Sequence, residues 1–144
     1  MHRIESHKKM FGVAGKIELE PLKLKYRSLI KEWHPDKIID DEERRAEAEI
    51  KSKKIIEAYH FLVGIAPETQ AANAEEYKRI TTSLHIEEFV YKGTTLKITF
   101  AEGIVYEYYG VPKSVYTKMV NTPTLARFGR RHIYDSYIYR NISK

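Results

Sequence analysis

The sequence predicts two small domains: an all-α helical domain, then an α+β domain with a three-stranded antiparallel sheet and one main helix. Three observations lead there. A basic amphipathic helix is stopped by His34-Pro35-Asp36; the apolar periodicity breaks after Gly64; and from Ile80 the vocabulary shifts to Thr, Val, Ile, Tyr and Phe, with strand-like alternation at 95–100. The expected boundaries are 1–65, a linker over 66–79 that is partly helical, and 80–144.

Leu22, Tyr26, Leu29, Ile30 and Trp33 recur at helical spacing and form one apolar stripe. Lys23, Arg27 and Lys31 lie four residues apart on the adjoining, solvent-facing side. No Ser or Thr precedes Pro21 as a cap, although Pro at the first helical position is itself favourable. Pro35 disfavours helical dihedrals at His34 and ends the helix near Trp33, leaving a His and a carboxylate in a stiff exposed turn.

A second long helix carries Ala48, Ser52, Ile55, Tyr59 and Leu62 at intervals of three and four, so the two helices are expected to pack stripe to stripe as an antiparallel pair. Asp40 to Glu43 crowd its start, the end a helix dipole makes favourable for acids. Gly64 is expected to end it, with Pro67 preventing resumption.

This segment resembles the J domain of DnaJ-type co-chaperones over about 4–64. The resemblance is carried by Leu22 to Lys37 with its Tyr26-Arg27 and Trp33-His34-Pro35-Asp36-Lys37, by Phe11-Gly12-Val13 where the family closes its short first helix, and by Ala58-Tyr59 with Leu62 near the end of the third. Departures are His7 and Lys8 where an aromatic pair is usual, Ser52 where a core Phe is usual, and about one extra helical turn between Asp36 and Ala58. The resemblance implies docking onto a DnaK-type heat-shock chaperone and stimulation of its ATP hydrolysis. Asp36 would bias charged groups of the partner, His34 and Pro35 would hold the loop's shape, and Lys23, Arg27, Lys31 and Lys37 would meet an acidic surface.

In the second half, Leu96, Ile98 and Phe100 alternate with Thr95, Lys97 and Thr99, flanked by turns at Lys92-Gly93-Thr94 and Ala101-Glu102-Gly103. Ile104, Tyr106 and Tyr108 share one face of the next strand, with Val105, Glu107 and Tyr109 on the other, completing a meander over 84–109. Gly110-Val111-Pro112 opens a helix expected to turn Val115, Met119 and Val120 toward the sheet before Asn121 and Pro123 stop it.

This order resembles the KTSC domain, named after the C-terminus of some lysyl-tRNA synthetases, over about 83–142. Tyr106-Glu107-Tyr108, Val111-Pro112-Lys113-Ser114-Val115-Tyr116, Arg127-Phe128, His132-Ile133 and Tyr137-Ile138-Tyr139 carry it, while Ala126 and Gly129 depart from the usual residues.

Tyr106 and Tyr108 are read as core. Tyr109, Phe128, Tyr134 and Tyr137, near Arg127, Arg130 and Arg131, are the residues able to stack on bases and contact phosphates of single-stranded RNA.

The net charge of +5 permits an acidic protein or nucleic acid as partner, and most of the excess lies in 80–144, at +4. With no cysteine, disulfides and thiolate zinc sites are excluded. No HExxH pair, Walker loop or Gly-x-Ser-x-Gly elbow is present, so neither catalysis, a cofactor nor a metal is expected. No run is long enough to span a bilayer and the start lacks a signal peptide's apolar segment, which leads to an expectation of a cytoplasmic protein without membrane partners. The function expected is a minimal J-domain co-chaperone whose C-terminal domain targets it to a client or complex. The alternative is an RNA-binding module whose J-like segment no longer engages a chaperone.

Overall fold

The structure, a computed structural model, describes residues 2–143 and divides into two compact units, His2–Thr69 and Gln70–Lys144. The first is helical: α1 (His2–Met10), α2 (Leu19–Trp33) and α3 (Glu42–Ile65), with a single 3-10 turn at Pro35–Lys37. The short helix α4 (Pro67–Ala72) lies across the boundary between the units.

Helix α1 closes on a left-handed Gly12 at φ +65°, with the Val13 N–H donating to the Lys8 carbonyl and the Gly12 N–H to that of Lys9. This pair of backward bonds satisfies carbonyls a helix end leaves open, and it needs a residue without a Cβ at the turn. Phe11, delivered by that turn, is buried and stacks on Tyr59, whose ring also lies 4.0 Å from Tyr26. His7 packs as a ring on α3, 4.9 Å from Phe61.

Tyr26 faces Tyr59 while Trp33, seven residues on, meets Ser52, seven residues back, so α2 and α3 run antiparallel as expected. Of the α3 stripe, Ala48, Ser52, Ile55 and Leu62 are buried and Tyr59 is half-buried. The Asp41 carboxylate caps α3 by accepting the Arg44 N–H at 3.2 Å. Two boundaries differ from expectation. Helix α3 runs through Gly64 to Ile65, and Pro67, expected to prevent resumption, instead occupies the first position of α4, where a missing N–H costs nothing. Helix α2 starts at Leu19, and its N-terminus is capped from a distance, the Glu68 carboxylate accepting the Leu19 N–H at 2.7 Å.

The second unit holds α5 (Ala74–Ser83), β1 (Ile86–Lys92), β2 (Thr95–Phe100), β3 (Val105–Tyr109), α6 (Lys113–Asn121), α7 (Leu125–His132) and β4 (Ile138–Asn141). The sheet has four antiparallel strands in the order β1-β2-β3-β4 rather than the three expected. The fourth comes from the terminal segment, which pairs Tyr106 with Asn141 and Tyr108 with Tyr139 and so covers the edge that β3 would otherwise leave open. The single main helix is corrected likewise: α7 is a second helix after α6.

The segment expected as a linker is helical over α4 and α5. Tyr77 and Ile80 of α5 are core residues, packed with Leu96, Ile98, Phe100, Tyr106 and Tyr108. On α6, Met119 is buried and Val115 packs against the core, but Val120 is 53% exposed, since it lies about 100° around the helix from Met119. The expected alternation on β2 and the burial of Tyr106 and Tyr108 hold.

Tyrosines dominate this core. The Tyr77 hydroxyl donates to the Tyr134 carbonyl at 2.8 Å and lies 3.0 Å from the Tyr108 hydroxyl, so its one proton is committed and Tyr108 is the donor between the two phenols. Tyr77 also stacks on Tyr139, with centroids 3.9 Å apart. Burial pushes the Tyr134 and Tyr139 phenols up to about 12 and those of Tyr77, Tyr106 and Tyr108 above the usual range. Their ionisation in the unfolded chain near pH 10 has no counterpart in the folded one, so stability is complete below pH 10 and falls above it. Each such phenol steepens the loss by about 1.4 kcal/mol per pH unit. Denaturant titrations should give a flat stability from pH 7 to about 9 and a steep decline between about 10 and 12, with tyrosinate absorbance rising together with unfolding.

Gly129, which departs from the KTSC pattern, is buried beneath the Tyr134 ring, and a Cβ there would overlap that ring. Gly129→Ala would gain about 1 kcal/mol in helix propensity and lose about 1–3 kcal/mol to overpacking against a side chain that is itself buried. We expect a net destabilisation of up to about 2 kcal/mol, read from urea unfolding.

Candidate functional site

Two groups of candidate residues are brought together, one in each unit. In the first, α2 must end before Pro35, and His34 takes the extended conformation that a residue preceding proline prefers, φ −68° and ψ 126°. His34 is at once the last cap of α2 and the first of the 3-10 turn. Its Nδ1 accepts the Asp36 N–H at 3.2 Å, the Lys37 N–H donates to the His34 carbonyl, and the Ile38 N–H to that of Pro35. The Nδ1 atom therefore serves as an acceptor within the turn. The nearer Asp36 carboxylate oxygen stands 3.7 Å from Nδ1, too far for a hydrogen bond, and the Asp36 side chain is 79% exposed. The histidine thus folds the turn inward while the aspartate faces solvent.

The loop is tied to α3 at its root. Ser52 Oγ donates to the Trp33 carbonyl at 2.7 Å, satisfying one of the carbonyls that the end of α2 leaves without a partner. Lys51 Nζ lies 5.7 Å from the centre of the Trp33 ring, at the outer limit of a cation–π contact. Ser52 thereby anchors the residue immediately before His34. Lys23, Arg27, Lys31 and Lys37 are all exposed, the first three on the solvent face of α2, as their spacing indicates.

In the second unit the basic candidates lie on α7. Arg127, Arg130 and Arg131 are exposed and none takes part in an ion pair among the described residues. Spacings of three and four place them on one helix face, with Leu125 on the opposite side and Phe128 at its margin. Phe128 is not a free platform: it is half-buried against the core and packs on His132, centroids 4.8 Å apart. Tyr109, expected as an exposed aromatic, is buried at 4% exposure and donates its hydroxyl to Glu107 at 2.9 Å. Glu107 also pairs with Arg140 of β4 at 3.6 Å, a neighbour that exists only because the fourth strand forms.

Sequence reasoning missed Ser52 as an anchor and missed a cavity of about 580 Å³ between α5, the end of α7 and β4. The signal for the cavity was Tyr137 and Tyr139 two residues apart, but without a fourth strand their common setting could not be seen.

Among the described residues no group of three or more His, Asp or Glu side chains is placed to hold a metal, and no helix is long and apolar enough to cross a membrane. Residues 76–137 match the KTSC domain family. The match begins inside α5, in the stretch expected as a linker, which agrees with the place of Tyr77 and Ile80 in the core. No J-domain family matches the helical unit. A comparison with the curated proteins finds no match.

Removing the Ser52 hydroxyl leaves the Trp33 carbonyl without its partner. We expect Ser52→Ala to cost about 1–2 kcal/mol. Exchange of the Lys37 amide, which closes the turn on the His34 carbonyl, should quicken more than that of amides in mid-α3. Equal acceleration throughout the unit would mean that Ser52 supports the helices generally and not the loop.

Proposed function

We propose that the chain is a minimal J-domain-type co-chaperone that docks on a DnaK-type heat-shock chaperone in the cytoplasm and stimulates its ATP hydrolysis. One observation carries this reading: the Asp36 carboxylate stands exposed on a turn closed by His34 and rooted by Ser52, beside a helix face of exposed cations. A rigid loop presenting one carboxylate is suited to reorganising charged groups on a partner, because little conformational entropy is lost on docking. Lys23, Arg27, Lys31 and Lys37 are arranged to steer an acidic surface toward it. The bond broken belongs to the partner's ATP, so the chain needs no catalytic group, cofactor or metal. The C-terminal unit then acts as the targeting element, bringing the chaperone to a client or complex.

A second reading, favoured by the three exposed arginines of α7, is that the C-terminal unit binds single-stranded RNA. It retains Arg127, Arg130 and Arg131 and loses Tyr109, whose burial removes it from any stacking surface.

Single-turnover ATP hydrolysis by a DnaK-type chaperone separates the two. Asp36→Asn removes a charge from an exposed side chain that makes no packing contact essential to the unit, so the melting temperature should stay at the parent value. Stimulation by the parent protein and its loss in Asp36→Asn are the expected results. A parent protein that leaves the hydrolysis rate unchanged would remove the co-chaperone reading.

A further inference from the structure

The second unit carries an open cleft of about 580 Å³, within the range of small-molecule sites, bounded by α5, the C-terminal end of α7, the turn after it and β4. Tyr134, Tyr137 and Tyr139 contribute aromatic walls, Lys78 and Arg130 contribute cations, and Asp135 contributes an acceptor. The three tyrosines differ in what they have left to offer. Tyr134 packs against Phe100 and Tyr108, and Tyr139 stacks on Tyr77, so both rings are largely committed to the core. Tyr137 packs against that core and is half-buried, yet among the described residues its ring has no aromatic partner and its hydroxyl no hydrogen bond. A half-buried aromatic ring held by its neighbours at the wall of a cavity is a stacking platform whose ordering cost is largely met.

The charges indicate what would stack there. Lys78 and Arg130 take part in no ion pair among the described residues, and they reach the cavity from two different helices. They attract an anion. Asp135, felt electrostatically by both Tyr77 and Tyr139, lies on the same cavity and would repel a ligand that is negative throughout. A ligand that satisfies all of these has a planar aromatic part, one phosphate and hydroxyl or amino donors.

We infer that this cavity binds a nucleoside monophosphate, with the base on Tyr137, the phosphate on Arg130 and Lys78, and ribose or base donors on Asp135. The same chemistry is offered by a free nucleotide and by the phosphorylated end of an RNA strand. Because every one of these residues lies within Gln70–Lys144, the site is independent of whether a chaperone docks on the His34 loop.

The test is titration of the full chain with the four ribonucleoside 5′-monophosphates, followed by calorimetry and by amide chemical shifts. Saturable binding that moves Tyr137, Lys78 and Asp135 amides is expected. Tyr137→Leu, which keeps bulk without the ring, and Arg130→Ala, at an exposed side chain, should each weaken binding at least about fivefold, while Tyr137→Phe should stay within about twofold. Lys118→Ala on α6, outside the cavity, should match the parent protein. A 5′-phosphorylated oligonucleotide that binds more tightly than its 5′-hydroxyl counterpart, with the same dependence on Tyr137 and Arg130, assigns the cavity to strand ends. Equal binding of the two alongside tight mononucleotide binding assigns it to free nucleotides. The inference is overturned if no monophosphate binds at millimolar concentration, if Lys118→Ala weakens binding as much as Arg130→Ala, or if Tyr137→Phe loses as much as Tyr137→Leu. Should Tyr137→Leu not fold, Arg130→Ala against Lys118→Ala decides the outcome alone.

Discussion

Pro35 has no amide hydrogen to donate and disfavours helical dihedrals at His34, so α2 has to release its chain at Trp33 whatever packs around it. The first unit is organised around that stop. Four carbonyls at the end of α2 lose their helical partners, and the Trp33 carbonyl regains one from Ser52 of α3. The chain then turns through the 3-10 segment, closed by His34 Nδ1 on the Asp36 amide and by the Lys37 amide on the His34 carbonyl. An imidazole spent inward and a carboxylate left outward follow from this one break in the helix.

The second unit depends on a different device. A core built from phenols has hydroxyl groups to satisfy, and an unpaired one costs about 1–3 kcal/mol. Tyr108, Tyr77 and the Tyr134 carbonyl solve this in a chain that links β3, α5 and the turn after α7. Three parts of the unit distant in sequence are thereby held in register, and the cavity lined by Tyr137 lies against that same junction. Tyr134 in turn lies against Gly129, where any Cβ would overlap its ring.

Much of this was legible in the residues alone. Apolar spacing located α2, α3, β2, β3 and α6, because each buries one face and the period of burial is written into the order of side chains. The end of α2 and the exposure of its lysines and arginine were equally readable, since proline chemistry and four-residue spacing act locally. The helix over 74–83 was obscured by a polar, Ala- and Glu-rich beginning, although Tyr77, Ile80 and Leu84 carry a helical spacing in hindsight. Strand β4 was not readable: four residues are too few for alternation to stand out, and the strand exists because the edge of β3 is there to receive it.

By itself the sequence determined where helices and strands begin to be possible, which faces turn inward, and that His34, Pro35 and Asp36 occupy a turn beside a cationic helix. These are consequences of torsional limits and of burial at short range. Only the tertiary structure decided which distant groups complete them. Glu68 caps α2 from 49 residues away, Ser52 takes the Trp33 carbonyl, Tyr109 is buried with its hydroxyl on Glu107, and Tyr137 is left facing a cavity. Each of those outcomes rests on a hydrogen bond or a packing contact between elements far apart in the chain, and the spacing of residues within one element holds no record of such a partner.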